Sequence, residues 1–76
     1  MNKVRRKALA EIREQVETLK DQLEAIKDEE EEARDNIPES MQESERYERA
    51  DEACENLDSA IDSLEEVLNY IEEASA

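Results

Sequence analysis

The sequence has no glycine, histidine, phenylalanine or tryptophan, and it has only one proline, one cysteine and two tyrosines. A compact globule with tight turns and an aromatic core cannot be built from this composition, which instead indicates long helices. The absence of histidine excludes Ser-His and Cys-His catalytic pairs, most zinc sites and the Glu-x-x-His motif of di-iron bundles. We therefore expect an all-α protein that is not an enzyme and has no catalytic, cofactor-binding or metal-binding residues.

Two further absences bear on location. No apolar run approaches the ~20 residues that span a bilayer, and Glu11, Arg13 and Glu14 interrupt the apolar stretch that a secretory signal requires after its basic start. The single cysteine, Cys54, has no partner for an internal disulfide, as is usual in a reducing compartment. We expect a cytoplasmic protein that does not contact a membrane.

Charge is abundant and mainly of one sign. The 76 residues include 24 acidic and 10 basic side chains, for a formal net charge of −14. Residues 1–20 hold six basic and three acidic side chains, a net +3, whereas residues 21–76 hold four basic and 21 acidic side chains, a net −17. Because nucleic acids are themselves polyanions, we expect no direct nucleic-acid binding by most of this surface.

Two apolar heptad patterns predict two helices. In the first, apolar residues alternate at spacings of three and four: Leu9, Ile12, Val16, Leu19, Leu23 and Ile26. Glu30 and Ala33 continue the same register. In the second, three columns repeat every seven residues: Ala50, Leu57, Leu64 and Ile71; Ala53, Ala60, Val67 and Ala74; Tyr47, Cys54, Ile61 and Leu68. They predict one antiparallel two-helix coiled-coil hairpin, with helices at about 3–35 and 45–74 and a loop at about 36–44.

Residues in the loop predict how the helices end and begin. Pro38 disfavours helical geometry at Ile37, so the first helix is expected to stop just before it. Ser40 and Ser44 are alternative N-caps for the second helix, and we favour Ser44 with a short helical turn before it. Ile37 and Met41 are predicted to close the end of the core.

The apolar stripe of the second helix is wider than one partner helix can cover. We expect a homodimer, which would form a four-helix bundle, or a higher homo-oligomer. Its interface is predicted to contain Ala53, Leu57, Ala60, Ile61, Leu64, Val67, Leu68 and Ile71. Cys54 and Tyr47 lie on the same stripe and are predicted to be core residues.

Antiparallel packing also predicts which charges pair across the hairpin. At the open end, the basic residues Lys3, Arg5, Arg6 and Lys7 are expected beside Glu65, Glu66, Glu72 and Glu73. At the loop end, Glu29–Glu32 are expected beside Arg46 and Arg49, with Glu30 paired to one of these arginines. Each exposed pair contributes only ~0–1 kcal/mol.

The surplus of carboxylates is the feature that predicts a function. A partner-binding surface is predicted at Asp28, Glu29, Glu31, Glu32, Glu65, Glu66, Tyr70 and Glu72. Two chains side by side carry twice −14, or −28, along helices of ~45 Å, and duplex DNA of that length carries ~26 phosphate charges. DNA mimicry is therefore physically reasonable, although a solvated acidic face is the commoner role of such a run.

The loop and the start of the second helix resemble small acidic helical proteins encoded by bacteriophages and prophages of Gram-positive bacteria. The residues that carry the resemblance are Asn36, Pro38–Gln42 and Ser44–Glu48, and the heptad pattern around them is much less specific. The resemblance implies a phage origin and a place in the host cytoplasm. It brings no catalytic residue with it.

Three functional hypotheses follow from this resemblance and the charge. The first is an interaction protein that binds and inhibits a host defence or nucleic-acid-handling protein through that protein's basic surface, by acidic DNA mimicry. The alternative is a structural scaffold or assembly chaperone for a phage protein, which would work through its apolar seam. A third is an antitoxin-like or transcriptional regulator that binds DNA with its basic start, including Arg5 and Arg6.

Overall fold

The computed structural model of residues 1–76 contains two long helices that pack antiparallel. Helix α1 spans Lys3–Asp35, a single 3-10 turn spans Glu39–Met41, and helix α2 spans Glu45–Ser75. The hairpin measures 59 × 15 × 12 Å. The predicted hairpin, its loop and the start of each helix are confirmed, and α2 continues one residue further than predicted. Neither helix has an apolar stretch of the kind that crosses a membrane.

Side chains of the residues before each helix cap it. The Asn2 Oδ1 accepts a hydrogen bond from the Arg5 backbone N–H at 2.9 Å. The Ser44 Oγ accepts one from the Tyr47 backbone N–H at 3.3 Å, so Ser44 and not Ser40 is the N-cap of α2. These bonds satisfy backbone donors that the first turn of a helix leaves without a partner.

The Ser44 cap gives a direct test of this helix start. We expect Ser44→Ala to lower the free energy of unfolding by about 1 kcal/mol, because the Tyr47 N–H loses its acceptor. Ser40→Ala is the matched control, since no side-chain cap hydrogen bond is present at the 3-10 turn, and it should change stability by less than about 0.5 kcal/mol. Urea unfolding followed by circular dichroism measures both. Equal losses in the two variants would contradict the assignment of the cap.

Very little of the chain is buried. Only three of the 76 residues are, and all are apolar: Ile37 at 5% exposure, Cys54 at 4% and Ile61 at 7%. Burial of Ile37 at the loop end and of Cys54 is confirmed. The prediction for Met41 is wrong, because Met41 is 47% exposed. It lies at the end of the 3-10 turn, beyond Ile37, the single side chain that covers this end of the core.

The apolar seam of α1 is divided between the core and the surface. Leu9, Val16 and Leu23 are half-buried, whereas Ile12, Leu19 and Ile26 remain 47%, 53% and 52% exposed. In a two-stranded coiled coil both columns face the partner helix, whereas here α2 covers the first column and leaves the second at the edge of the contact. The hairpin therefore leaves half of this predicted seam at its surface.

Candidate functional site

One flank of the hairpin carries a ladder of four ion pairs between the helices. The basic members recur every seven residues along α1 and the acidic members every seven residues along α2. The pairs are Arg13–Glu72 at 3.4 Å, Lys20–Glu65 at 3.6 Å, Lys27–Asp58 at 2.8 Å and Arg34–Asp51 at 3.0 Å. Because both columns have the heptad period, each pair lies two helical turns from the next, and the ladder fixes the register of the antiparallel helices.

The cations of the ladder are better shielded than their partners. The side chains of Lys20, Lys27 and Arg34 are 20%, 25% and 23% exposed. A hydrogen bond from Lys27 to Asp58 is the main cause of the raised pKa of Lys27, although its partial desolvation acts in the opposite direction. For Arg34 the main cause of the raised pKa is the hydrogen bond to Asp35. The ladder thus favours the charged forms of Lys27 and Arg34 and neutralises one carboxylate column of α2.

The pairing predicted for the open end is wrong. Glu65 and Glu72 bind Lys20 and Arg13, and no ion pair reaches Lys3, Arg5, Arg6 or Lys7. The reason is the register, since the residue numbers of each ladder pair add up to 85. Ala10 is therefore level with Ser75, and the first turns of α1 project beyond α2 by roughly 10 Å.

The pairing predicted for the loop end is also wrong. Glu31 binds Lys27 at 3.5 Å, and Arg49 binds Glu45 on its own helix. Glu30 is half-buried and lines the same groove as Arg46 and Arg49, but it forms no ion pair with either. A partner one turn away on the same helix is within easier reach of Arg49 than a carboxylate across the groove.

Cys54 lies at the loop end of the core, near Arg34. Burial raises the pKa of the Cys54 thiol, because the thiolate would lose hydration; the nearby Arg34 lowers it, and the carboxylates of Glu31, Glu30 and Asp51 add to the rise. The thiol is therefore protonated and unreactive at neutral pH, as expected of a small core residue.

This raised pKa predicts a loss of stability in alkali. Above pH 9, the ordinary value for a thiol, the unfolded chain releases the Cys54 proton while the folded chain retains it, so unfolding releases a proton. The Cys54 contribution is present below that pH and is lost as the pH rises through the raised value. We expect the urea midpoint to fall more steeply from pH 8 to pH 10 in the native protein than in Cys54→Ala. Parallel pH profiles would contradict the burial of the thiol.

The flank opposite the ladder carries no charged side chain over most of its length. Helical periodicity places on this flank of α1 the residues Ile12, Gln15, Thr18, Leu19, Gln22, Ala25 and Ile26. It places on the same flank of α2 the residues Ala53, Asn56, Leu57, Ala60, Ser63, Leu64, Val67, Tyr70, Ile71 and Ala74. We call these two sets together the uncharged face. In a chain with 45% charged residues, so long a face without charge is a candidate contact surface.

Most of the predicted oligomer interface lies on the uncharged face. The exceptions are Ile61, which the hairpin buries, and Leu68, which is half-buried in the same core column. The α1 half of the uncharged face was missed by the sequence reasoning, which assigned Ile12, Leu19 and Ile26 to the contact with α2. The uncharged residues beside them, Gln15 and Gln22 among others, are the feature of the sequence that could have indicated this part of the face.

The predicted acidic surface is only partly free. Glu31, Glu65 and Glu72 bind cations of α1, with distances of 3.4–3.6 Å. Four others are exposed and have no cation within 4.0 Å: Asp28, Glu29, Glu32 and Glu66. Tyr70 is 64% exposed and belongs to the uncharged face. Glu66 is on α2, and the register puts it roughly 15 Å along the axis from Asp28, so these residues do not form one cluster.

A longer acidic row was missed by the sequence reasoning. It runs along the outward side of α2, and each of its members is exposed and free of ion pairs: Glu48, Glu52, Glu55, Asp62, Glu66 and Glu73. We call it the acidic row. Its spacings of three, four and seven residues are the signal that places them on one side of the helix. The row spans about 37 Å.

The structure has no group of three or more side chains placed to hold a metal ion. Comparison with family models, with curated proteins and with solved structures finds no match for this chain.

Proposed function

We propose that this chain is a non-enzymatic, phage-encoded interaction protein that forms a homodimer and inhibits a host defence or nucleic-acid-handling protein. Its acidic row would occupy a basic surface where that host protein binds nucleic acid. The observation that carries the proposal is the row itself, six carboxylates of α2 that no cation neutralises. Of the 24 carboxylates in the chain, nine are in ion pairs, which leaves fifteen unpaired.

The linear charge of a dimer supports DNA mimicry. The hairpin is 59 Å long, and duplex DNA of that length carries ~35 phosphate charges. One copy at −14 falls well short of this value, while two copies at −28 approach it. A basic groove shaped for a duplex would therefore attract the dimer more strongly than a single hairpin.

The small core supports a homodimer. Three buried residues are far fewer than a chain of 76 residues needs to fold alone. The uncharged face, roughly 30 Å long and two helices wide, would bury about 1,200 Å² in total between two copies, which is within the range of stable interfaces. It also has few charged side chains, so two chains of −14 can meet there with few opposing carboxylates.

Two measurements test the proposal. Sedimentation equilibrium should give twice the chain mass of 8.8 kDa. In addition, the immobilised protein should capture nucleic-acid-binding proteins from a nuclease-treated lysate of a Gram-positive bacterium, and duplex DNA should displace them. Because charges exposed to solvent make these contacts, raising the salt from about 0.05 M to 0.5 M should reduce capture about tenfold or more.

A matched pair of variants assigns the binding to the acidic row. Neutralising four of its members should reduce capture about tenfold: Glu52→Gln, Glu55→Gln, Asp62→Asn and Glu66→Gln. The control removes the same charge from four exposed, unpaired carboxylates elsewhere and should retain most of the capture: Glu11→Gln, Asp21→Asn, Glu39→Gln and Glu43→Gln. Equal losses would contradict a defined binding row. Capture that salt does not weaken would instead favour the scaffold or chaperone role.

A further inference from the structure

The exposed column of α1 has a sequence that reads nearly the same from both ends. It runs through Ile12, Leu19 and Ile26, which are 47%, 53% and 52% exposed. Leu19 is the midpoint, and an isoleucine follows seven residues away on either side. If a second α1 lies antiparallel across it with Leu19 opposite Leu19, each isoleucine meets the isoleucine from the other end. A column of this kind is complementary to its own reversed copy.

The charges at the two ends of the hairpin are complementary in the same sense. Arg5 is the next member of the column beyond Ile12, and its side chain has no ion pair. Near the other end, Glu29 and Glu32 border the same column and are also exposed and unpaired. With Leu19 as the midpoint, Arg5 comes level with residue 33 of a reversed copy, where these two carboxylates lie.

From this palindromic column and these end charges we infer that the two copies pack antiparallel through their uncharged faces, with α1 against α1 and α2 against α2. The two-fold axis passes through the level of Leu19. This inference rests on the dimer proposed above and adds its orientation. The ladder of each copy then lies on the outer side of its own hairpin, away from the contact.

The second helix fits the same axis. The hairpin register, in which paired residue numbers add up to 85, puts residue 66 level with Leu19. On the uncharged face, Leu64 and Val67 lie on either side of that level, so Val67 of one copy comes nearly level with Leu64 of the second copy.

The parallel alternative is disfavoured by charge. In a parallel dimer the basic ends of both copies, each with Arg5 exposed, lie together, and the carboxylates Glu29 and Glu32 of both copies lie together at the other end. Like charges brought together at an interface are unfavourable, whereas the antiparallel arrangement exchanges them for opposite charges.

Disulfide trapping tests the orientation in the full-length chain. Leu19→Cys should form a covalent dimer on mild oxidation, because the two Leu19 positions face each other across the axis. An equal mixture of Ile12→Cys and Ile26→Cys should form several times more covalent dimer than either variant alone. Cys54 remains in place, since it is buried at 4% exposure, and the native protein measures the background of oxidation. Asn69→Cys, which lines a groove on the ladder flank with Arg13 and Lys20, is the control and should form none above that background.

Each result decides between the arrangements. Covalent dimers in the two predicted combinations support the antiparallel packing. A dimer by sedimentation that traps neither combination overturns the orientation while leaving the dimer intact. A monomer by sedimentation overturns both. Leu19→Glu adds a measurement without oxidation, because it brings two carboxylates together at the axis and should raise the dimer dissociation constant at least about tenfold; Asn69→Glu adds the same charge outside the contact and should leave it unchanged.

Discussion

Ile61→Ala should lower the free energy of unfolding by about 3 kcal/mol, because it removes most of a buried aliphatic side chain and leaves a cavity between the helices. Ile61 is one of only three buried residues and is 7% exposed. A domain of this size has a total stability of only about 3–5 kcal/mol. The variant is therefore expected to be substantially unfolded at 37 °C, with loss of helical signal in circular dichroism.

Two further variants give this result its meaning. Ile61→Val removes a single methylene and should lose about 1 kcal/mol. Val4→Ala removes apolar volume from a side chain that is 78% exposed on the projecting first turns of α1, and it should change stability by less than about 0.5 kcal/mol. Urea unfolding at one fixed protein concentration compares them, so that the proposed dimerisation, which would make stability depend on concentration, affects all variants alike. A similar loss for Val4→Ala and Ile61→Ala would contradict the small core.

The features that depend on local sequence were predicted well. Heptad periodicity alone indicates two helices, and Pro38 with the Ser44 cap determines where one ends and the next begins. Burial of Cys54 follows from its place in an apolar column. Each of these features depends on residues close together in the chain, whose spacing on a helix is known in advance.

The register between the helices was predicted wrongly, although the sequence contains its signal. The basic residues of α1 and the acidic residues of α2 both recur at seven-residue intervals: Arg13, Lys20, Lys27 and Arg34; Asp51, Asp58, Glu65 and Glu72. Sequence reasoning instead paired the blocks of like charge at the ends, which are more conspicuous. Many registers satisfy a block of charge, whereas two columns with the heptad period align in few, and apolar columns with the same period cannot choose among them.

The acidic surface was predicted only in part, because its prediction also depends on the register between the helices. Whether Glu65 and Glu72 are free to bind a partner depends on what lies across the hairpin, and only the register reveals that Lys20 and Arg13 neutralise them. Glu66, one residue from Glu65, remains unpaired. A rotation of 100° about the helix axis is enough to separate a structural carboxylate from one that is available to a partner.

Reversing the charges of two ladder lysines should destabilise the hairpin, and reversing the charges of their two acidic partners as well should restore much of its stability. Lys20→Glu with Lys27→Glu places carboxylates against Glu65 and Asp58 and should lower the melting temperature by about 10 °C. Adding Asp58→Lys and Glu65→Lys re-forms both pairs with reversed polarity. We expect at least half of the loss to return; the rest stays lost because Glu24 and Glu31, which bind the two lysines on their own helix, still face like charges.

A charge-matched control separates this restored pairing from the general benefit of reducing a net charge of −14. Asp62→Lys with Glu66→Lys adds the same four positive units to the Lys20→Glu, Lys27→Glu protein, but on the acidic row, which faces away from α1. It should recover much less of the melting temperature than Asp58→Lys with Glu65→Lys. Equal recovery by the two pairs would mean that the ladder register is wrong, since only direct partners across the helices distinguish a lysine at residue 65 from one at residue 66.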